Sequence, residues 1–159
     1  MLNESEGEAL DKVVRPSRVL ELLQPANGRL LAVEQDPAVA DFGEEIILVA
    51  SFKQSQFQVL TGSSGNTIPT LHPFMEPAPG TGNAFNLVLM DHDPQQYLVD
   101  LLALEREGLL CLSGCSIVLI IRNQRDKSLE ELISARPDCY SIKSQVPGMV
   151  ELFYQKNRT

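Results

Sequence analysis

Short apolar runs that end in carboxylates set the rhythm of this chain: Leu30-Leu31-Ala32-Val33-Glu34 before Gln35-Asp36, and Leu87-Val88-Leu89-Met90 before Asp91-His92-Asp93. An apolar run followed by a helical stretch predicts a buried parallel strand, and open α/β sheets bind ligands in the crevice outside the carboxyl ends of such strands. The pattern predicts strands at 29–34, 57–61, 86–91 and 116–121, the last a β-branched run expected at the centre of a sheet. A helix is expected from Pro37 to about Ser51, capped by Asp36 and carrying Val39, Phe42, Ile46, Ile47 and Val49 at helical spacing. A second, 94–108, carries Tyr97, Leu98, Leu101, Leu102 and Leu104 and stops at Gly108. Ser128 with Glu131 three residues on resembles a capping box for a short helix to Ala135. Gly62-Ser63-Ser64-Gly65 predicts a tight turn after 57–61, and 73–83, rich in Pro and Gly, an irregular surface loop. The segments 139–146 and 149–154 flank Pro147-Gly148, which suits a type II turn between antiparallel strands.

That order predicts an α/β fold: a mostly parallel sheet closed by a carboxyl-terminal hairpin, with a polar tail over 1–14 and one domain over 15–159. At 159 residues and 43% hydrophobic, the chain is long enough to bury a real core. The net charge of −8, with no local Lys/Arg cluster, argues against nucleic acid or an anionic membrane as partner. No apolar run approaches the roughly 18 residues of a membrane span, and the first residues lack the apolar core of a signal peptide. A soluble cytoplasmic protein is the resulting expectation. Cys111, Cys115 and Cys139 have no clustered His to complete a zinc set and are read as buried thiols.

The strand tips carry the candidate chemistry. Glu34 is placed to accept two hydrogen bonds from a ribose diol, as acids do in nucleoside-binding α/β folds; the plainer reading is a solvated acid at a helix start. Gly62-Ser63-Ser64 would let backbone approach a ligand edge, although alone it is only a turn.

Several pieces together resemble the catechol O-methyltransferase family of class I S-adenosylmethionine-dependent methyltransferases, including its transmembrane-type O-methyltransferase relatives. They are 28–34, 59–64 with Ile68-Pro69-Thr70-Leu71, Met90-Asp91-His92, 97–105 and Gly108-Leu109-Leu110, in an order and spacing shared from about Arg18 to Tyr154. The resemblance implies a Rossmann-like fold, S-adenosylmethionine as cofactor, Mg²⁺, a small phenol or catechol as substrate and a place in catecholamine metabolism. It assigns Glu34 to the ribose, Ser63 and Ser64 to the adenine side, and His92 to a position flanking the adenine. His92 is equally well read as a simple loop histidine, and Asp93 as solvated. Asp91 matches an aspartate that ligates the metal and lies near the methionine amino group, and Asn123 matches the amide ligand.

Other positions depart from that family. Arg122 stands where a second metal-binding aspartate is expected, and a guanidinium repels a cation and offers no lone pair. Pro94 stands at the position of the lysine base and cannot take a proton. No acid falls within 141–144, where the family has a glutamate on the catechol hydroxyl. The glycine-rich loop and most of its helix are also missing: about six residues separate Leu22 from 29–34, too few for a parallel crossover of a dozen or more. The pattern resembles an internal deletion, and 19–23 is either a strand, the reading preferred here, or a helical turn. The sequence therefore supports a methyl-transferring enzyme and, as the alternative, a catalytically inactive methyltransferase-like binding or interaction protein or a truncated isoform.

Overall fold

A computed structural model describes residues 30–49, 57–75, 84–121 and 127–156. The chain divides into two compact units, one containing the described residues up to 75 and the other those from 84 onward.

In the first unit β1 (Leu30–Glu34) and β2 (Phe57–Thr61) pair in parallel, from Leu30 opposite Phe57 to Glu34 opposite Thr61. The helix α1 (Pro37–Val49) lies in the connection between them. It starts where the sequence predicts because Asp36 satisfies two donors of the first turn: its Oδ1 accepts from the Ala38 amide at 2.9 Å and its carbonyl from the Ala40 amide at 2.9 Å. Of the five apolar positions expected on it, burial is described only for Val39 and Phe42. Ala40 is buried, whereas Val39 and Phe42 are 51% and 63% exposed. Helical spacing defines a helix but leaves its rotation open when apolar residues cover a wide arc, and Ala40 sits about 100° round from Val39. Among the residues of this unit whose burial is described, Ala40, Phe57, Ile68 and Leu71 are the buried apolar ones.

Beyond β2 the predicted tight turn is a bend at Gly62 followed by a helical turn, α2 (Ser64–Thr67), which continues as 3₁₀ turns over Ile68–Thr70 and His72–Phe74. The start of the expected loop at 73 is thus part of a 3₁₀ turn, and residues 76–83 lie outside the described residues.

The second unit contains β3 (Leu87–Met90), α3 (Tyr97–Arg106), β4 (Cys115–Ile120), α4 (Lys127–Ala135), β5 (Tyr140–Val146) and β6 (Met149–Tyr154). Its sheet has the order β3-β4-β6-β5, with β3 parallel to β4 and β6 antiparallel to both β4 and β5. The β-branched run is an interior strand, as expected: Ile117, Val118 and Leu119 are fully buried. On one sheet face Val118, Ile120 and Met149 cluster, with Leu87 and Val146 packed against them. The terminal hairpin forms as predicted, and Gly148 at φ 84° supplies the left-handed residue that a type II turn needs after Pro147. A register shift between Ile142 and Ser144 interrupts the β5–β6 ladder.

Helix α3 follows a 3₁₀ turn over Pro94–Gln96 and ends in a Schellman arrangement, the Leu109 amide reaching the Leu104 carbonyl at 2.9 Å and the Gly108 amide the Glu105 carbonyl at 3.0 Å. The α4 helix begins at Lys127, which places Ser128 inside the helix rather than at its cap. The described strands form two separate sheets, and the candidate strand 19–23 lies outside the described residues.

Candidate functional site

At the carboxyl end of β3 the chain leaves the sheet through Asp91, His92 and Asp93, all exposed. Asp93 turns the chain into α3: its Oδ1 accepts from the Gln95 amide at 3.0 Å and its carbonyl from the Gln96 amide at 2.9 Å. It is exposed, as expected, but also serves as a cap. Pro94 opens the 3₁₀ turn, a place that suits its fixed φ and missing N–H.

His92 is no simple loop histidine. Its Nε2 lies 2.6 Å from Oδ2 of Asp100, a carboxylate only 1% exposed, while the His92 side chain is itself 36% exposed. The Tyr97 ring meets the imidazole edge-on, 5.0 Å between centroids at 67°. The Tyr97 hydroxyl donates to the carbonyl of Ile120 at 2.7 Å and lies 3.3 Å from the carbonyl of His92. One buried tyrosine thus joins the loop after β3 to the last residue of β4. Sequence reasoning missed Asp100 as a site residue, although a signal was present. Tyr97, Asp100, Leu101 and Leu104 form one buried helical stripe, and an acid interrupts it.

In the other unit Glu34 is half-buried at the end of β1. Its Oε1 accepts from the Asp36 amide at 3.0 Å, and its carbonyl accepts from the Gly62 amide at 2.9 Å. The carboxylate is therefore fixed at the strand tip with lone pairs left to accept hydroxyl donors. Ser63 and Ser64 are also half-buried, and the Ser63 side chain makes no capping bond. Gly62 has an internal reason for being glycine: a Cβ there would lie 2.9 Å from Oγ1 of Thr67, which donates to the Ser63 carbonyl at 2.7 Å. Asn123 and Arg122 lie outside the described residues.

A second polar cluster is complete in itself. Arg136 donates to both oxygens of Glu105 at 2.6 and 2.5 Å, and the Tyr140 hydroxyl donates to Glu105 at 2.7 Å. The guanidinium holds the Glu105 carboxyl below its ordinary range, and burial first, then the Glu105 bond, pushes the Tyr140 hydroxyl up. With both Glu105 oxygens bonded to the guanidinium and the Tyr140 hydroxyl, this cluster ties α3 to the start of β5. Of the cysteines only Cys115 is buried; Cys111 and Cys139 are half-buried, so the buried-thiol expectation holds for one of the three. An apolar groove of about 420 Å³ beside α4 and the hairpin, lined by Leu129, Ile133, Ile142 and Leu152, contains none of the candidate residues.

Among the described residues no group of three or more His, Cys, Asp or Glu could hold a metal ion. A hard divalent cation needs several oxygen ligands, and of the two metal candidates, Asp91 and Asn123, only Asp91 is among the described residues. No described helix is long and apolar enough to cross a membrane.

No protein-family model matches the chain. The transmembrane O-methyltransferases of Pan troglodytes and Homo sapiens are each 38% identical to it over 86 residues, 54% of this chain and 28% of theirs. Catechol O-methyltransferase of Mus musculus is 30% identical over 125 residues, 69% of this chain and 45% of the relative. The chain thus spans under half the length of these relatives. A crystal structure of a protein from Corynebacterium glutamicum superposes with a TM-score of 0.64 at 13% identity, over 84% of this chain and 63% of that one. The fold is the Rossmann-like α/β fold shared with that structure. In sequence the chain is similar to catechol O-methyltransferases and transmembrane O-methyltransferases.

Proposed function

We propose that this protein binds S-adenosylmethionine and transfers its methyl group to the hydroxyl of a small phenol or catechol. The observation that supports this most is the Asp91-His92 pair at the carboxyl tip of β3, a place where α/β folds bind ligands, within a chain whose curated relatives are O-methyltransferases. When bound, the cofactor supplies an electrophilic methyl group. On this reading Glu34 accepts the two ribose hydroxyls, Ser63 and Ser64 lie on the adenine side, Asp91 accepts from the methionine ammonium and His92 flanks the adenine. Each is held by its own strand or turn, which limits the ordering that binding requires.

A second reading, cofactor binding without transfer, is favoured by Pro94. It begins a 3₁₀ turn at the position where the family resemblance expects a lysine base, and it has no proton-accepting atom. Calorimetry with S-adenosylmethionine, with and without Mg²⁺, followed by a labelled-methyl assay on catechol, separates the readings. Binding that Asp91→Ala abolishes and Mg²⁺ leaves unchanged, with methylated product, is the expected result. Binding without product selects the second reading. No binding at all overturns both.

A further inference from the structure

Asp100 carries the one buried side-chain polar atom that lacks a hydrogen-bond partner among the described residues. It is 1% exposed, one carboxylate oxygen meets His92, and the other, Oδ1, is buried with no hydrogen-bond partner among the described residues. Its neighbours on the same stripe of α3, Tyr97, Leu101 and Leu104, are buried and largely apolar. An apolar side chain at position 100 would continue that stripe, whereas a carboxylate buried behind a single donor is unfavourable. What Asp100 does must then lie in its one partner.

That partner is half-exposed and follows Asp91 directly at the tip of β3. A histidine at such a position ordinarily samples several rotamers and both neutral tautomers. Here the 2.6 Å contact fixes one ring nitrogen, and the edge-on Tyr97 ring limits rotation. A carboxylate only accepts, so the donor in the pair is Nε2–H, and the neutral ring keeps its acceptor at Nδ1.

We propose that Asp100 is a positioning residue: it holds His92 as the Nε2–H tautomer and makes Nδ1 the acceptor that the strand-tip loop offers to an N–H or O–H donor of a bound ligand. The identity of that ligand rests on the function proposed above; the pairing does not. Tyr97, whose hydroxyl bonds the Ile120 carbonyl, holds the same loop to the end of β4, so loop and ring are fixed by two side chains one helical turn apart.

The chain has only two histidines, His72 and His92, so a long-range ¹H–¹⁵N correlation spectrum of the full chain, assigned with His72→Gln, reads the tautomer directly. At mildly alkaline pH the wild type should show His92 with Nε2 protonated and Nδ1 bare. Asp100→Asn should retain that pattern, because its amide oxygen still accepts, and Asp100→Ala should give the averaged signals of a free ring. Averaged signals in the wild type, or a fixed tautomer surviving in Asp100→Ala, overturn the pairing. If Asp100→Ala does not fold, the wild-type and Asp100→Asn spectra decide it alone. For the ligand, S-adenosylmethionine affinity should fall about tenfold in Asp100→Ala and be restored in Asp100→Asn, the size expected for one oriented hydrogen bond. Unchanged affinity beside a lost tautomer overturns the ligand-facing role. A wild type that fails to bind the cofactor overturns the methyltransferase reading and that role with it, and leaves the pairing to the tautomer.

Discussion

Two carboxylates on α3 stand five positions apart in contrasting company. Glu105 has three strong donors and Asp100 one. The Glu105 carboxyl is held below its ordinary value of 4.5, chiefly by its hydrogen bonds from Arg136. A carboxyl whose folded value is depressed contributes stability that is fully present above the unfolded value and is lost as pH falls through the folded one. Denaturant melts carried from neutral pH to well below pH 4.5 should therefore show a loss of stability below about pH 4.5 that Glu105→Gln flattens, at a cost of about 2 kcal/mol near neutrality. An acid limb of unchanged steepness in that variant would assign the effect to other groups. The thiols make a second contrast. Burial pushes Cys115 up to about 12, while the hydroxyl of Ser113, 3.1 Å away, draws Cys111 down. Mass-spectrometric mapping of limited alkylation should find Cys111 modified well before Cys115, because the thiolate is the nucleophile and of these two Cys111 is the accessible one.

Elements were more legible in the sequence than the side-chain pairs that complete them. The strand tips at Glu34 and Asp91, the Asp36 cap, the stop after α3 and the Pro147-Gly148 turn all follow from local chemistry, which acts within a few residues and can be read there. The exposure of Val39 and Phe42 on α1, and the partner of His92, were not readable, since both depend on what lies across the packing interface. Asp100 could have been suspected only as an acid in an apolar stripe, and nothing local names His92 as its partner. Gly62 shows the same limit from the other side, because its need for a small residue comes from Thr67, five positions on. Gly62→Ala should cost about 1–3 kcal/mol, since Thr67 must give up its bond to the Ser63 carbonyl to make room. Adding Thr67→Ala should recover part of that loss in chemical denaturation. A double variant no better than the sum of its parts would show that the clash is relieved elsewhere.

At the scale of the whole molecule the described strands of the two units differ in how much each buries. The second places fully buried Ile117, Val118, Leu119 and Leu152 on interior strands β4 and β6, whereas in the first only Phe57 among the strand residues is buried and Val33 is 37% exposed. A two-stranded sheet is marginal without further cover, and local opening follows buried contact. Native-state hydrogen exchange should therefore find the amides of β4 and β6 slowest and those of β1 and β2 faster by about two orders of magnitude or more. The same measurement tests the proposed cofactor in each unit separately. A ligand present at 100 times its dissociation constant stabilises what it binds by about 2.7 kcal/mol, roughly a hundredfold in exchange through the affected opening. With S-adenosylmethionine, slowed exchange in β1 would support Glu34 as a ligand residue, and slowed exchange in β3 would support Asp91 and His92. Slowing confined to β3 removes Glu34 from the site, and exchange unchanged in both strands removes the cofactor from the protein.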